Sequence, residues 1–373
     1  MQTFIKVAFT VVLVVHGLVH VLGFLKAFGL AQLAQLTLPI SRSLGVLWLL
    51  AGLGMLGTAF ASYAWPSSWW ILGSVSLVLS QLAIVSSWQD ARFGSAANAL
   101  LLLGVAWAFL SAGPLSLRAQ FARQVALGLS RSAAQPLVEE ADLDALPAPV
   151  QRYLRYVGVV GQAHVRNFRA RLDGRIRSGP GAAWMPLRAE QYNFVDRPTR
   201  LFSLQARMFG LPVEGLHAYV NGEASMRIEL LALLPVVNAR GAAFTAAETV
   251  TLFNDMCVMA PATLIDPTIR WEPVDELHVR ASFSAAGNTI AATLVFDAEG
   301  RLVNFVSDDR PALNADGVTF NPQRWSTPLS DYRPSGPYRL ASRGEARYRA
   351  PAGEYTYGEF TIEDIKYNVG PRD

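Results

Sequence analysis

One cysteine, Cys257, stands among 373 residues, so no intrachain disulfide braces the chain. The redox compartment stays open, because periplasmic and cytoplasmic domains alike can lack bridges. Charge is scarce too: Asp, Glu, Lys and Arg make up 16% of the residues against 51% hydrophobic. That balance excludes a disordered chain and a coiled coil, and the mean hydropathy of +0.25 calls for membrane spans. Acids are almost missing from the first 118 residues, which hold Asp90 against five Lys or Arg, while in the rest 27 basic residues face 28 acids. The soluble part therefore lacks the positive excess of a nucleic-acid binder, and that class is set aside. No GxSxG, HExxH, P-loop or paired CxxC is present, which leaves no recognisable catalytic motif and gives no ground for a metal site or a cofactor.

What the first part does have is apolar length. From Val7 to Leu25 no residue is charged and 13 of 19 are Val, Leu or Phe; at about 0.3 to 0.6 kcal/mol each, these contribute about 4 to 8 kcal/mol to insertion, enough to carry His16 and His20. The run is longer than a signal-peptide core and leads to Lys26 and further spans, so it is read as retained. Similar runs at about 44–63, 69–88 and 96–115 complete four transmembrane helices, with Trp65, Trp69, Trp70 and Trp88 at interfacial depth. Gly52 to Gly57 match GxGxxG formally. They lie inside an apolar helix with no preceding strand, so they are read as helix-packing glycines and not as a phosphate loop. His16 and His20 share one helix face, where a quinone or metal contact is conceivable and neutral imidazoles bonded between helices are expected. Asp90 and Arg92 are read as a solvated pair. An even number of spans puts the N-terminus and the C-terminal domain on one side. That side carries Lys6, Arg118, Arg123 and Arg131 against Lys26, Arg42 and Arg92 opposite, a slight lean to the cytoplasm that decides nothing.

After Gly113-Pro114, Leu117, Phe121, Val125 and Leu129 recur every four residues, giving an amphipathic juxtamembrane helix whose apolar face meets either the headgroup region or the following domain. Residues 131–145 read as a boundary. A short helix after Pro149 stops at Gly158. From about His164 the period changes to 2: Phe168, Ala170, Leu172 and Ile176 alternate with charged residues, and Val279, Ala281 and Phe283 continue through a Gly287-Asn288 turn into Ile290, Ala292, Leu294 and Phe296. About ten strands at this spacing leave no room for crossover helices, so the sheet is antiparallel. Thr245 and Glu248 form a capping box for one helix from about Val250 to Met259, apolar on most sides and hence buried. The expected organisation is a four-helix transmembrane region at 1–115, a juxtamembrane helix and linker at 116–145, and an α+β domain at 146–373. In that domain a long curved, half-barrel-like antiparallel sheet is crossed by one buried helix, and Phe168, Leu172, Val279, Phe283, Leu294 and Phe296 line its inward cavity.

TLFNDMC (251–257), APATLID (260–266), FVSDDR (305–310), WSTP (325–328), and YGEF with IKYN (357–368) together resemble an uncharacterised bacterial family, a domain of unknown function, some of whose members carry spans before it. The resemblance covers about Leu146 to Val369 and implies a bacterial inner-membrane, multi-pass protein with no known activity. The sheet-and-helix plan is similar, more loosely, to lipoprotein-carrier half-barrels, which implies a lipid or other apolar ligand beside the bilayer as partner.

Chemistry has two places to sit. Arg169, Arg171, Arg175 and Arg177 on one strand face and Arg339, Arg343, Arg347 and Arg349 on another form either a basic surface for headgroups or a face paired with neighbouring acids. Asn254, Asp255 and Cys257 interrupt the apolar helix, and Asp308, Asp309 and Arg310 end a strand. If the clusters meet, they hold a polar head in an apolar cavity, or Asp255, Asp308 and Asp309 serve a membrane-anchored hydrolase as acid and base. Otherwise Arg310 or another arginine neutralises Asp255 and locks helix to sheet in a structural or interaction module.

Overall fold

The structure, a computed structural model, describes residues 2–130, 135–314, 316–317 and 319–371; Arg131 and the opening of the expected linker lie outside them. The chain forms two compact units, Met1–Ala119 and Gln120–Asp373.

The first unit holds α1 (Gln2–Ala27), α2 (Arg42–Ala64), α3 (Trp69–Ser86), the single turn α4 (Trp88–Ala91) and α5 (Gly94–Ala112). Four of its helices, α1, α2, α3 and the one that starts at Gly94, are long and apolar enough to cross a membrane. Their glycines act where backbones meet: a Cβ on Gly52 would stand 2.7 Å from the Gly17 carbonyl oxygen, and one on Gly23 would stand 2.2 Å from the Trp48 ring. Helix contact, not phosphate binding, explains the GxGxxG pattern. His16 and His20 bridge three helices. Their Nε2 atoms lie 3.1 and 2.8 Å from Ser80 Oγ on α3, and Ser80 donates to Asn98 Oδ1 on α5 at 2.9 Å. With its one proton spent there, Ser80 can only accept from both imidazoles. Asp90 does not pair with Arg92. It accepts from Thr37 Oγ1 and the Leu38 N–H at 2.7 and 2.8 Å, tying down the loop after α1, and Arg92 lies over the Phe93 ring.

In the second unit the C-terminal part of α6 (Leu117–Leu129) buries Phe121, Val125 and Leu129. Phe121 meets Tyr192 edge to face at 6.0 Å and Gly128 lies flush on the Phe194 ring. Of its two candidate partners, α6 has therefore taken the β domain. Then α7 (Ala148–Val157) ends as read at Gly158, whose φ of 82° is left-handed.

The strands are β1 (Asn167–Ile176), β2 (Met185–Phe194), β3 (Thr199–Met208), β4 (Leu211–Val220), β5 (Glu223–Leu230) and β6 (Leu234–Arg240). After helix α8 (Ala242–Met259) come β7 (Arg270–Pro273), β8 (His278–Ala285), β9 (Asn288–Phe296) and β10 (Leu302–Ser307). The short β11 (Ala312–Leu313), β12 (Phe320–Asn321) and β13 (Arg324–Ser326) precede β14 (Leu329–Ser335), β15 (Tyr338–Ala350) and β16 (Gly353–Tyr367). Fourteen of these make one sheet in the order β6-β5-β4-β3-β2-β1-β16-β15-β13-β10-β9-β8-β7, with β14 on β15. Among the described residues its strand pairings, hairpins and the β1–β16 closure alike, are antiparallel. The count exceeds the expected ten because β6 and short strands such as β7, β13 and β14 carry little alternation.

Helix α8 packs into the sheet's core. Val250, Phe253 and Cys257 are fully buried, and Phe253 stacks on Phe283 at 4.9 Å and meets Phe305 edge to face at 5.8 Å. Phe168, Leu172, Val279, Leu294 and Phe296 belong to the same core. The inward positions expected to line a cavity are thus packed, because α8 supplies the apolar surface they need. The capping box does not form. The helix is capped four residues earlier, at Gly241 with φ 105°, while Thr245 Oγ1 accepts from the Ala224 N–H at 3.1 Å and Glu248 turns into the core.

Candidate functional site

A charge network lies beneath α8. On β3, Arg200 falls in phase with Phe202, Leu204 and Ala206 and so faces inward with them. Its Nε donates to Asp255 Oδ2 at 2.6 Å and its Nη1 to Glu248 Oε2 at 3.1 Å. Asp255 also accepts from Gln191 and Asn193 at 2.6 and 3.3 Å. On the other flank Arg310 Nη2 lies 3.5 Å from Glu248 Oε1; its Nε donates to Thr251 Oγ1 at 2.9 Å and its Nη1 to the Tyr348 hydroxyl. The Arg310 guanidinium stands 4.7 Å over the Trp325 ring. Two acids and two arginines thus cancel in a nearly dry space, as buried charges must.

Electrostatics separates the two acids. Burial lifts Asp255 above the ordinary carboxylate range despite Arg200 and the two amides. Glu248 is as buried, yet the charges of Arg200 and Arg310 hold it below that range. Burial pushes His217 down to about 4, with Arg200 and Arg310 adding to the shift and Glu248 opposing it. The folded imidazole is neutral, whereas the unfolded one takes a proton below about pH 6.5. Its contribution to stability is therefore complete above pH 6.5 and lost as pH falls toward 4. We expect the second unit to lose about 2 kcal/mol between pH 7 and pH 5 from this group, read as a falling melting temperature, and His217→Phe to flatten that slope. An unchanged slope would refute the assignment.

Of the residues singled out in the sequence, Asp255 and Arg310 enter this network: Asp255 is met by an arginine other than Arg310, and Arg310 reaches Glu248 instead. Asn254 donates from Nδ2 to Thr327 Oγ1 at 3.0 Å and joins α8 to the segment after β13. Cys257 is fully buried, and burial with the neighbouring Asp255 raises its thiol well above its usual range, the opposite of an activated nucleophile. Asp308 and Asp309 are exposed. Asp308 pairs with Arg324 at 2.9 Å, which holds its carboxyl low, and Asp309 accepts from the Ala291 N–H at 2.7 Å. The two clusters meet through Arg310 and Glu248, without an acid–base pair of aspartates. Arg200, Glu248, Gln191, Asn193 and His217 were not anticipated, although Arg200, Gln191 and Asn193 each sit in phase with apolar inward positions. Four of the eight arginines read as a basic face are paired with acids: Arg169 with Glu190, Arg171 with Asp364, Arg175 with Glu359, and Arg347 with Glu345 and Glu354; Arg177 donates to the Thr356 carbonyl oxygen at 2.7 Å and Arg339 lies over the Tyr156 ring.

The chain belongs to a family of unknown function (DUF6544), which residues 136–360 match; it is the uncharacterised family that the quoted stretches resemble. No curated protein matches the chain. Among solved structures it is similar to a domain assigned to outer-membrane lipoprotein sorting from Vibrio parahaemolyticus, at 12% identity and a TM-score of 0.35, over 55% of this chain and 86% of that one. A LolA superfamily protein from Nitrosomonas europaea follows at 9% identity and 0.32, over 59% and 92%. A DUF1329 family protein from Desulfovibrio piger follows at 12% and 0.29, over 60% and 93%. Likenesses this distant carry no functional weight.

Proposed function

We propose that this family member is a multi-pass protein of the bacterial inner membrane whose β domain engages lipid, or a lipid-like apolar ligand, beside the bilayer. One observation carries the reading. The β3–β4 and β5–β6 turns lie side by side at one end of the sheet, since Met208 pairs with Leu211, Leu230 with Leu234, and Val213 with Leu230. There Phe209 is 94% exposed, Leu233 60% and Leu234 53%, with Leu211 and Val236 also open to solvent. Residues 230–237 carry no charge. Phe209, Leu231 and Ala232 have φ of 52°, 59° and 56°, a region that bulky residues avoid unless the surroundings impose it.

Such a tip suits lipid. Five apolar side chains on two convex turns offer roughly half of the about 800 Å² per partner that a stable protein interface needs, whereas an acyl-chain region requires no complementary shape. Returning Phe209 and Leu234 to an apolar medium is worth about 1.5 to 3 kcal/mol each. The Gln120–Asp373 unit should therefore float with phosphatidylethanolamine/phosphatidylglycerol vesicles, and Phe209→Asp with Leu234→Asp should weaken that binding by about a hundredfold or more. Flotation unchanged by the pair of substitutions would dismiss the tip as the contact.

A further inference from the structure

We propose that a pocket on the β domain, separate from the apolar tip, binds a phosphate ester, the chemistry shared by a phospholipid headgroup and a small soluble phosphate. The pocket, of about 260 Å³, is bounded by Leu127 of α6, Phe194 at the end of β2, Arg197 and Thr199 around the β2–β3 turn, Asn221 of the β4–β5 turn, and Arg166. Its size falls just under the range of about 300 to 1,000 Å³ typical of drug-sized ligands, which suits one compact polar group.

Its charge has one sign to spare. Arg166 is pinned, its Nε donating to Asp196 Oδ2 at 2.8 Å and its backbone N–H to Asn368 Oδ1 at 2.9 Å. Arg197 is exposed and makes no ion pair or hydrogen bond among the described residues. Two guanidiniums against the one carboxylate of Asp196 leave a net positive wall, and a planar guanidinium matches phosphate oxygens in pairs. Thr199 and Asn221 place neutral donors on the same rim. Leu127, 64% exposed, and the Phe194 ring give the pocket an apolar side. An anion joined to a short apolar tail would use both sides; a bare anion would use one.

The site is independent of the apolar tip, so soluble probes separate the two. Full chain in nonionic detergent would be titrated by calorimetry with dihexanoyl phosphatidic acid, inorganic phosphate and uncharged dihexanoylglycerol. Saturable binding of the phosphatidic acid is expected, weakened about tenfold or more by Arg197→Ala, with no saturable binding of dihexanoylglycerol. Because Arg197 is exposed, that variant should melt as the native protein does. Equal affinity for inorganic phosphate would identify a soluble phosphate as the ligand, and much weaker affinity would identify the lipid headgroup. Binding of neither phosphate compound, or binding that Arg197→Ala leaves intact, would overturn the proposal.

Discussion

Arg200→Met should be the most damaging single substitution in the β domain, lowering its stability by about 3 to 5 kcal/mol because a buried acid loses its counter-charge. That is a large share of a typical total of about 5 to 15 kcal/mol. Asp255 would be left with two amides and no cation, and Glu248 with Arg310 alone at 3.5 Å. Asp255→Asn should cost less, for two reasons: Arg200 keeps Glu248 at 3.1 Å, and burial already makes the neutral acid easier to reach. Combining Arg200→Met with Asp255→Asn should cost clearly less than the sum, as coupled neighbours do. Arg310→Met with Asp255→Asn should come closer to additive, since Arg310 acts on Glu248 and Thr251. Denaturant melts of the five variants, Arg310→Met alone included, measure all of this. Additive Arg200 and Asp255 changes, or an Arg200→Met cost below about 1 kcal/mol, would show that the network does not hold helix to sheet.

Local pattern carried much of this architecture and long-range register carried the rest. The uncharged runs of α1, α2, α3 and α5 announce themselves by length, and β1, β8 and β9 by alternation bounded by turn residues. The unbroken apolar stretch of α8 announces burial. Arg200, Gln191 and Asn193 could be recognised as polar residues in phase with a core, but their meeting with Asp255 depends on how β2 and β3 lie under α8, Arg200 and its partner standing 55 positions apart in the chain. A capping box at Thr245 and Glu248 was plausible locally and lost to tertiary demands, the Ala224 N–H taking one residue and Arg200 the other. Residues 230–237 show the opposite case. So apolar a run reads as core, and the fold turns it outward at a hairpin tip and along the edge strand β6, where apolar side chains call for a partner.

Contact of that tip with lipid is measured most directly in the full chain reconstituted into phosphatidylethanolamine/phosphatidylglycerol vesicles. The single native thiol, Cys257, is fully buried, so Phe209→Cys should direct an environment-sensitive fluorophore to the tip alone, with the unsubstituted chain as the labelling control. If the tip enters the bilayer, the emission will shift to the blue, nitroxide groups on the lipid acyl chains will quench it, and aqueous iodide will have little effect. A water-like emission, quenched by iodide and indifferent to the lipid nitroxides, would contradict a lipid-contacting domain.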